Sequence, residues 1–281
     1  MEATLAAHLG SAAEARWMVE EVCGRHGADV QVGEAALHRL EEMARERIGG
    51  TPLQYVLGSW SFRTLELGVD RRALIPRPET EQVVEVALAE LRDGDDRELV
   101  LVDLGTGTGA IALSLAVELW PRRQGLEVWA TDADGDALAL AAENLERVRA
   151  TRPEAARAVR LAHGCWYEAL PAELQGRVSL VVSNPPYVDD GQWEQLDAEV
   201  RQEPRLALVS PTGSDGTPGL AAIEAVVTGA ARWLGPGGVL VVEISPEQAD
   251  AALALADDAG LPGARIARDL SGRDRALVAR R

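Results

Sequence analysis

From Pro76 onward, the chain alternates between apolar runs of strand length and longer segments with helical periodicity. The runs that have the composition of buried strands are residues 99–105, 126–132, 159–164, 178–185 and 238–245. Helical segments between such runs are typical of right-handed βαβ crossovers and a buried parallel sheet. Two last runs, 264–270 and 275–281, are joined so closely that they predict an antiparallel pair at the sheet edge. The sequence therefore predicts an α/β fold with a doubly wound, mostly parallel, seven-stranded sheet.

The first 75 residues follow two other patterns. Within residues 1–54, apolar residues recur at helical spacing between glycines, which predicts a small helical domain. Residues 55–75 alternate around two glycines, which predicts a β-hairpin that links two domains. We therefore expect a helical domain at 1–54, a hairpin linker at 55–75 and the α/β domain at 76–281.

Charge and composition limit the classes of function. The chain has 281 residues, of which 47% are hydrophobic, and its formal net charge is −17. Such an acidic chain lacks the basic face that binding to nucleic-acid phosphates requires. The N-terminus lacks the pattern of a signal peptide, and no apolar run approaches the ~20 residues of a membrane span. Cys23 and Cys165 have no metal-ligand spacing, so we expect a soluble, cytoplasmic protein in a reducing compartment.

No metal site is expected from the sequence. The histidines form no spaced cluster of the kind that binds zinc, and they are His8, His26, His38 and His163.

A glycine-rich loop follows the first predicted strand of the α/β region. Gly105, Gly107 and Gly109 precede a helical segment, at the point where a doubly wound sheet opens its ligand crevice. Glycines let the backbone approach a ligand closely, and the helix start offers free N–H groups. Asp132 closes the second strand, where an acidic side chain can accept hydrogen bonds from a ribose diol. The pattern predicts a cofactor that contains adenosine, but it does not separate a dinucleotide from other adenosine cofactors.

The fourth predicted strand ends in Asn-Pro-Pro-Tyr, residues 184–187. Prolines have no N–H group, so the loop offers the Asn184 side-chain oxygen and the carbonyls of Pro185 and Pro186 as acceptors. Such a surface suits a planar –NH2 group, whose nitrogen would be held and aimed at an electrophile. Tyr187 can stack on the planar group and exclude water. The loop therefore predicts a site at which a planar nitrogen of the substrate is the nucleophile.

The combination of VDLGTGTG and NPPY resembles the class I S-adenosylmethionine-dependent methyltransferases that modify planar nitrogens. Several neighbouring stretches resemble one family among them, the release factor glutamine methyltransferases of the HemK or PrmC type. These stretches are PLQYVLGSWSF, LIPRPETE, CWYEAL, RQEPRLALV and DLSGRDRALVARR. The resemblance covers about residues 50–281 and implies the seven-stranded methyltransferase sheet. It also implies N5-methylation of the glutamine in the Gly-Gly-Gln loop of class-1 peptide chain release factors, with S-adenosylmethionine as donor and S-adenosylhomocysteine as product.

The resemblance assigns roles to particular residues. The residues implied to bind the cofactor are Gly105, Thr106, Gly107, Thr108, Gly109, Asp132, Trp166 and Asn184. The implied substrate-binding residues are Asn184, Pro185, Pro186 and Tyr187, of which Asn184, Pro185 and Tyr187 are implied to be catalytic. The N-terminal helices are expected to dock the protein substrate. Arg77 and Glu79 are candidates for closing the pocket, while Thr80 is equally well explained as a helix N-cap.

The sequence leaves other functions open. A glutamine methyltransferase for a ribosomal protein has the same requirements, and an adenine N6-methyltransferase acts on an –NH2 group of the same geometry. The acidic charge disfavours the second of these. A nonenzymatic adenosine-binding module would leave the Asn-Pro-Pro-Tyr loop unused. A dehydrogenase fits the glycine loop, but the strand ends offer no acid or base for hydride chemistry.

Overall fold

The computed structural model describes residues 2–24, 33–91, 98–120 and 125–281. His26, one of the histidines considered for metal binding, lies outside these ranges. The N-terminal region contains the helices α1 (Glu2–Leu9), α2 (Ala12–Cys23), α3 (Glu34–Ile48) and α4 (Leu53–Leu57). Helix α2 begins where the Ser11 hydroxyl accepts the backbone N–H of Glu14, and α4 ends at Gly58, whose φ is +74°. These helices share a small apolar core formed by Met18, Leu40, Met43, Leu53 and Val56.

A hairpin follows the helices, made of β1 (Ser59–Phe62) and β2 (Leu65–Gly68). Its buried side chains, Phe62, Leu65 and Leu67, belong to the main core beside the large sheet. The side chain of Asn144, 76 residues later, accepts the N–H of Gly68 at 2.6 Å and donates to its carbonyl at 3.0 Å. The hairpin is thus packed into the α/β region, and the predicted boundary at residue 54 falls within α4. The division into domains 1–54, 55–75 and 76–281 stays a prediction.

The later strands build the central sheet that the sequence predicts. In chain order they are β3 (Leu99–Leu104), β4 (Leu126–Asp132), β5 (Val159–His163), β6 (Val178–Ser183), β7 (Val188–Asp189), β8 (Val209–Ser210), β9 (Leu234–Glu243), β10 (Arg265–Arg268) and β11 (Asp274–Arg280). Seven of them form one sheet in the order β10-β11-β9-β6-β3-β4-β5. Strands β3, β4, β5, β6 and β9 pair in parallel, and β11 pairs antiparallel with both β9 and β10. The predicted doubly wound, mostly parallel seven-stranded fold is confirmed.

Most strand ends lie within two residues of the sequence prediction, and two of the differences have a clear physical reason. Strand β6 ends at Ser183, two residues before the predicted end, because Pro185 and Pro186 have no N–H to continue the ladder. Strand β9 begins at Leu234 and not at 238, because Leu234 pairs with Val178 ahead of an irregularity in the register. The glycines and proline at 235–237 therefore lie within a strand and not before it.

Helices cover both faces of the sheet. They are α5 (Pro78–Glu90), α6 (Ala110–Leu119), α7 (Gly135–Thr151), α8 (Pro153–Arg157), α9 (Arg205–Leu208), α10 (Ala221–Trp233) and α11 (Ala249–Asp258). Helices α5 to α8 contribute to the core on one face, and α10 and α11 to the core on the other. Residues 110–117 of α6 are buried without exception, which explains why this helix is apolar on all sides.

The strand order reverses between β3 and β6, which are neighbours in space but not in sequence. At such a switch point the connections leave in opposite directions and open a crevice at the carboxyl ends of the strands. The carboxyl ends of β3, β4 and β6 carry the glycine loop, Asp132 and Asn184 respectively. Among the described residues, no helix combines the length and apolar character needed to cross a membrane.

Candidate active site

A cavity of about 380 Å³ opens at the switch point of the sheet. This volume lies within the range of about 300–1,000 Å³ that is typical of small-molecule sites. Predicted cofactor residues at or after the ends of four strands, β3, β4, β5 and β6, line it, namely Gly105, Thr106, Gly107, Thr108, Asp132, Trp166 and Asn184. Gly109, the remaining predicted residue, is buried at the start of α6 and does not line the cavity.

The glycine loop turns sharply between β3 and α6. Gly105, Gly107 and Gly109 have φ values of +72°, +56° and +83°, which residues with side chains rarely adopt. The N–H groups of Gly105 and Thr106 both donate to the carbonyl of Thr131 at the end of β4. The loop is therefore tied to β4, and its open side faces the cavity.

Asp103, a site residue that was not predicted from the sequence, binds the glycine loop from within β3. Its carboxylate accepts the Thr106 hydroxyl at 2.7 Å and the Ala112 N–H at 3.0 Å. Burial raises the pKa of Asp103 to about 7. Its Oδ1 atom meets no hydrogen-bond partner among the described residues. An acidic residue inside an otherwise apolar strand was the sequence signal that would have identified it, because a buried carboxyl group requires partners.

Asp132 lies at the end of β4 with its carboxylate on the cavity wall. Its two oxygens accept backbone N–H groups from Gly107 at 2.8 Å and from Asp134 at 3.0 Å. Burial raises the pKa of this carboxyl group, and the backbone hydrogen bonds oppose the rise. Each carboxylate oxygen has a second lone pair, so Asp132 retains the capacity to accept two further hydroxyl groups.

Trp166 supplies an aromatic wall to the same cavity. The residue begins a 3₁₀ turn, Trp166–Ala169, and has a φ of +47°. Its ring lies 3.6 Å from the position that a Cβ atom would take on Gly105. The half-buried indole therefore faces the glycine loop and lines the large cavity.

The Asn-Pro-Pro-Tyr loop lies between two cavities. Asn184 and Pro186 line the large cavity and also a small adjoining one of about 50 Å³, whereas Pro185 and Tyr187 line only the small one. Arg77 lines both cavities. The structure thus brings Asn184 to the boundary between the large and the small cavity.

The Asn184 amide is held in one orientation. Its Nδ2 atom donates to the Thr80 hydroxyl at 3.1 Å, and that hydroxyl donates to Glu243 at 2.7 Å. No donor reaches the Asn184 Oδ1 atom from the part of the chain that the structure describes, so this oxygen remains a free acceptor. Tyr187 is half-buried, and burial raises the pKa of its phenol to about 12, which keeps the group neutral at physiological pH.

The segment before α5 shapes the other side of the site. Arg77 pairs with the buried carboxylate of Glu203, which also accepts the Ile75 N–H at 2.9 Å. Glu79 lines neither cavity and pairs with Arg273 at 3.4 Å. The N-cap of α5 is Arg77, so the reading of Thr80 as an N-cap is wrong. Thr80 lies in the first turn of α5 and is buried. Its hydroxyl donates to Glu243 and accepts from Asn184.

Comparisons with known proteins identify the fold and the family of this chain. A solved methyltransferase from Pyrococcus furiosus is 16% identical, with a TM-score of 0.53 over 88% of this chain and 98% of its own, and shows the same fold. Residues 84–204 match the family described as Methyltransferase small domain. The sheet order, the glycine loop and the Asn-Pro-Pro-Tyr loop thus define a class I methyltransferase.

Two relatives show to which family of methyltransferases the chain belongs. A release factor glutamine methyltransferase from Bordetella pertussis is 41% identical over 93% of this chain and 92% of its own length. Another, from Xylella fastidiosa (strain 9a5c), is 38% identical over 91% of this chain and 85% of its own. The chain belongs to the release factor glutamine methyltransferase family, and the resemblance stated from its motifs is confirmed.

Proposed function

We propose that this enzyme transfers a methyl group from S-adenosylmethionine to the side-chain amide nitrogen, N5, of the glutamine in the Gly-Gly-Gln motif of class-1 peptide chain release factors. The observation that carries the proposal is the Asn184 amide, whose oxygen is left free at the boundary between a large and a small cavity. A glutamine amide has two N–H hydrogens, and an acceptor placed there would hold one of them.

The donor would occupy the large cavity. Asp132 offers acceptors for a ribose diol, Trp166 offers a face for adenine, and the loop from Gly105 to Gly109 offers close backbone approach. These groups match the chemistry of S-adenosylmethionine. When bound, S-adenosylmethionine would supply a methyl group on a sulfonium centre. The N–C bond to the substrate would form as the S–C bond breaks, S-adenosylhomocysteine would keep that electron pair, and the proton of the nitrogen would pass to water.

The acceptor amide would enter through the small cavity. An amide nitrogen is a weak nucleophile because its lone pair is delocalised into the carbonyl group. The Asn184 oxygen would orient this nitrogen and stabilise the positive charge that develops on it as the bond forms. Pro185 and Pro186 would add carbonyl acceptors, and Tyr187 would cover the planar group. The proposed catalytic residues are therefore Asn184, Pro185 and Tyr187, with Pro186 in substrate binding.

The N-terminal helices are proposed to dock the release factor. Arg47 of α3 pairs with Glu14 of α2 at 2.7 Å and with Glu199 at 2.6 Å, in the segment that follows β7. The helices are therefore joined directly to the region beside the acceptor cavity. The net charge of −17 favours a protein substrate over nucleic acid, and we expect neither nucleic acid nor a membrane as a direct partner in the cytoplasm.

The test is mass spectrometry of a purified class-1 release factor after incubation with this enzyme and S-adenosylmethionine. We expect a gain of one methyl group on the glutamine of the Gly-Gly-Gln motif. Two matched controls accompany it: the enzyme variant Asn184→Ala, and a release factor with glutamate in place of that glutamine. Neither control should gain a methyl group there. If the wild-type enzyme binds the donor but leaves the release factor unmodified, the proposal is wrong, and ribosomal proteins and then nucleic acid become the substrates to test.

A further inference from the structure

We propose that Glu243, acting through Thr80, determines which end of the Asn184 side-chain amide faces the substrate. Glu243 lines neither cavity and Thr80 lines the large one, but both act on the substrate amide through Asn184 and are therefore positioning residues. The inference rests on the proposed function, because the oxygen of Asn184 matters only if it receives an –NH2 group.

The three residues come from three separate elements. Asn184 follows β6, Thr80 lies in the first turn of α5, and Glu243 is the last residue of β9. The Asn184 Nδ2 atom donates to Thr80 Oγ1 at 3.1 Å, and Thr80 Oγ1 donates to Glu243 Oε2 at 2.7 Å. Thr80 is 4% exposed and Glu243 is 1% exposed, so water does not replace either partner.

The direction of these hydrogen bonds follows from the chemistry of the groups. An ionised carboxylate only accepts hydrogen bonds, so the single hydroxyl hydrogen of Thr80 must point to Glu243. The Thr80 oxygen is then left with lone pairs alone, and only the –NH2 end of Asn184 can satisfy it. The amide oxygen must therefore face away from Thr80, toward the cavities.

A neutral partner at position 243 would remove this constraint. The Thr80 hydroxyl would be free to donate to the Asn184 oxygen, and the amide would then present its –NH2 end to the cavities. Two –NH2 groups facing one another have no acceptor between them, so a glutamine amide would no longer be held. The buried charge at Glu243 is thus the feature that makes Asn184 an acceptor.

The groups around Glu243 act on its charge in both directions. Burial raises the pKa of this carboxyl group to about 7 and Glu79 adds to the rise, whereas the Thr80 hydroxyl and Arg275 of β11 favour the ionised carboxylate. The Tyr187 hydroxyl lies 3.5 Å from the second carboxylate oxygen, Oε1. Glu243 is therefore linked to two residues of the Asn-Pro-Pro-Tyr loop. It is linked to Asn184 through the Thr80 hydroxyl, and it lies from the Tyr187 hydroxyl at the longest distance that a hydrogen bond allows.

The experiment compares Thr80→Val with Thr80→Ser. Valine keeps the shape of threonine but has no hydroxyl, and serine keeps the hydroxyl. We expect Thr80→Val to lower kcat by about 10- to 100-fold, the scale of a misplaced reacting group. Thr80→Ser should retain most of the activity. Because Thr80 lines the large cavity, the Kd for S-adenosylmethionine is measured for each variant and kcat is compared at a saturating concentration of this donor. Equal kcat values for the valine and serine variants would overturn the inference.

A second measurement does not depend on turnover. The side-chain NH2 resonances of Asn184, assigned by their loss in Asn184→Ala, should show slow exchange with water in the wild-type enzyme and in Thr80→Ser. They should exchange faster in Thr80→Val and in Glu243→Gln. If the Asn184 NH2 hydrogens exchange at the wild-type rate in both variants, Glu243 and Thr80 do not orient the Asn184 amide. The two proposals can fail separately. If the wild-type enzyme does not methylate the release factor but the expected exchange rates are observed, only the proposed substrate is wrong.

Discussion

The backbone carbonyl of Tyr187 lies directly against Gly219, so that a Cβ atom on residue 219 would come within 2.3 Å of it. The buried side chain of Gln248 donates to the same carbonyl at 3.2 Å. The Asn-Pro-Pro-Tyr loop is therefore fixed from two sides by residues that line neither cavity. Its position depends on close packing as well as on its own prolines.

Replacing Gly219 by alanine should displace this loop. The methyl group would meet the Tyr187 carbonyl, and the φ of +70° at this position would add strain. We expect kcat to fall by about 10- to 100-fold, and the free energy of unfolding to fall by about 1–3 kcal/mol. Steady-state kinetics and urea unfolding measure the two effects.

Gly216→Ala is the matched control for this change. Gly216 has a φ of +88°, but no heavy atom lies within 4 Å of a Cβ placed on it. This variant carries the backbone strain without the collision, so its kcat should stay near that of the wild type. If the two alanine variants lose the same activity, the contact with Tyr187 does not matter for catalysis.

The Asp132 carboxylate is expected to decide donor affinity. Asp132→Asn replaces one acceptor oxygen by a donor –NH2 group, which conflicts with the N–H groups of Gly107 and Asp134 that now point at it. We expect the Kd for S-adenosylmethionine, measured by calorimetry, to rise by about 10- to 100-fold, the loss of one or two hydrogen bonds to a charged group. Asp136→Asn removes the same charge from an exposed site in the first turn of α7 and should leave the Kd unchanged. Equal Kd values for the two variants would argue against a role of Asp132 in binding.

Asn144 should contribute strongly to stability. It is fully buried and bonds to both backbone groups of Gly68 and to the carbonyl of Thr108 at 2.9 Å. Asn144→Ala leaves these groups without partners, which should cost about 2–4 kcal/mol in the free energy of unfolding. Ser114 is equally buried, but its hydroxyl has no partner among the described residues. Ser114→Ala should therefore be neutral or stabilising, and a loss like that of Asn144→Ala would contradict this reasoning.

Local sequence patterns predicted the strands and loops of the site because those features depend on neighbouring residues. The apolar residues of β3 and β6 and the prolines after Ser183 determine the local structure at their own positions in the chain. The strand that ends in Glu243 was also predicted, yet nothing local connects that residue with Thr80, 163 positions earlier. Their contact requires β9 to lie beside β6 and α5 to pack over both. A buried polar pair of this kind appears only once the topology is known.

The hairpin illustrates the same limit. Its turn and alternating residues predicted two strands, which are present as β1 and β2. Alternation alone does not reveal what a buried face packs against. Phe62 and Leu67 pack into the main core, and Asn144 binds the backbone at Gly68, so the hairpin is fixed to the α/β region.

Turnover should depend on pH through Glu243. Burial raises the pKa of this carboxyl group to about 7, and Glu79 adds to the rise, while the Thr80 and Tyr187 hydroxyls and Arg275 oppose it. Above this pKa the carboxylate is ionised and the Asn184 oxygen faces the cavities; below it, the protonated acid releases the Thr80 hydroxyl. We therefore expect kcat, measured with saturating substrates, to be about tenfold lower at roughly pH 6 than at roughly pH 8, as for one group that must be ionised.

Two variants separate the effect of Glu243 on the pH profile from that of Asp103. Burial also raises the pKa of Asp103 to about 7. An Asp103→Asn enzyme should keep the acidic fall in kcat, whereas Thr80→Val, which disconnects Glu243 from Asn184, should show a low and nearly flat profile. An acidic fall of wild-type size in Thr80→Val would mean that the pH dependence arises elsewhere, because protonation of Glu243 can then no longer reach the substrate amide.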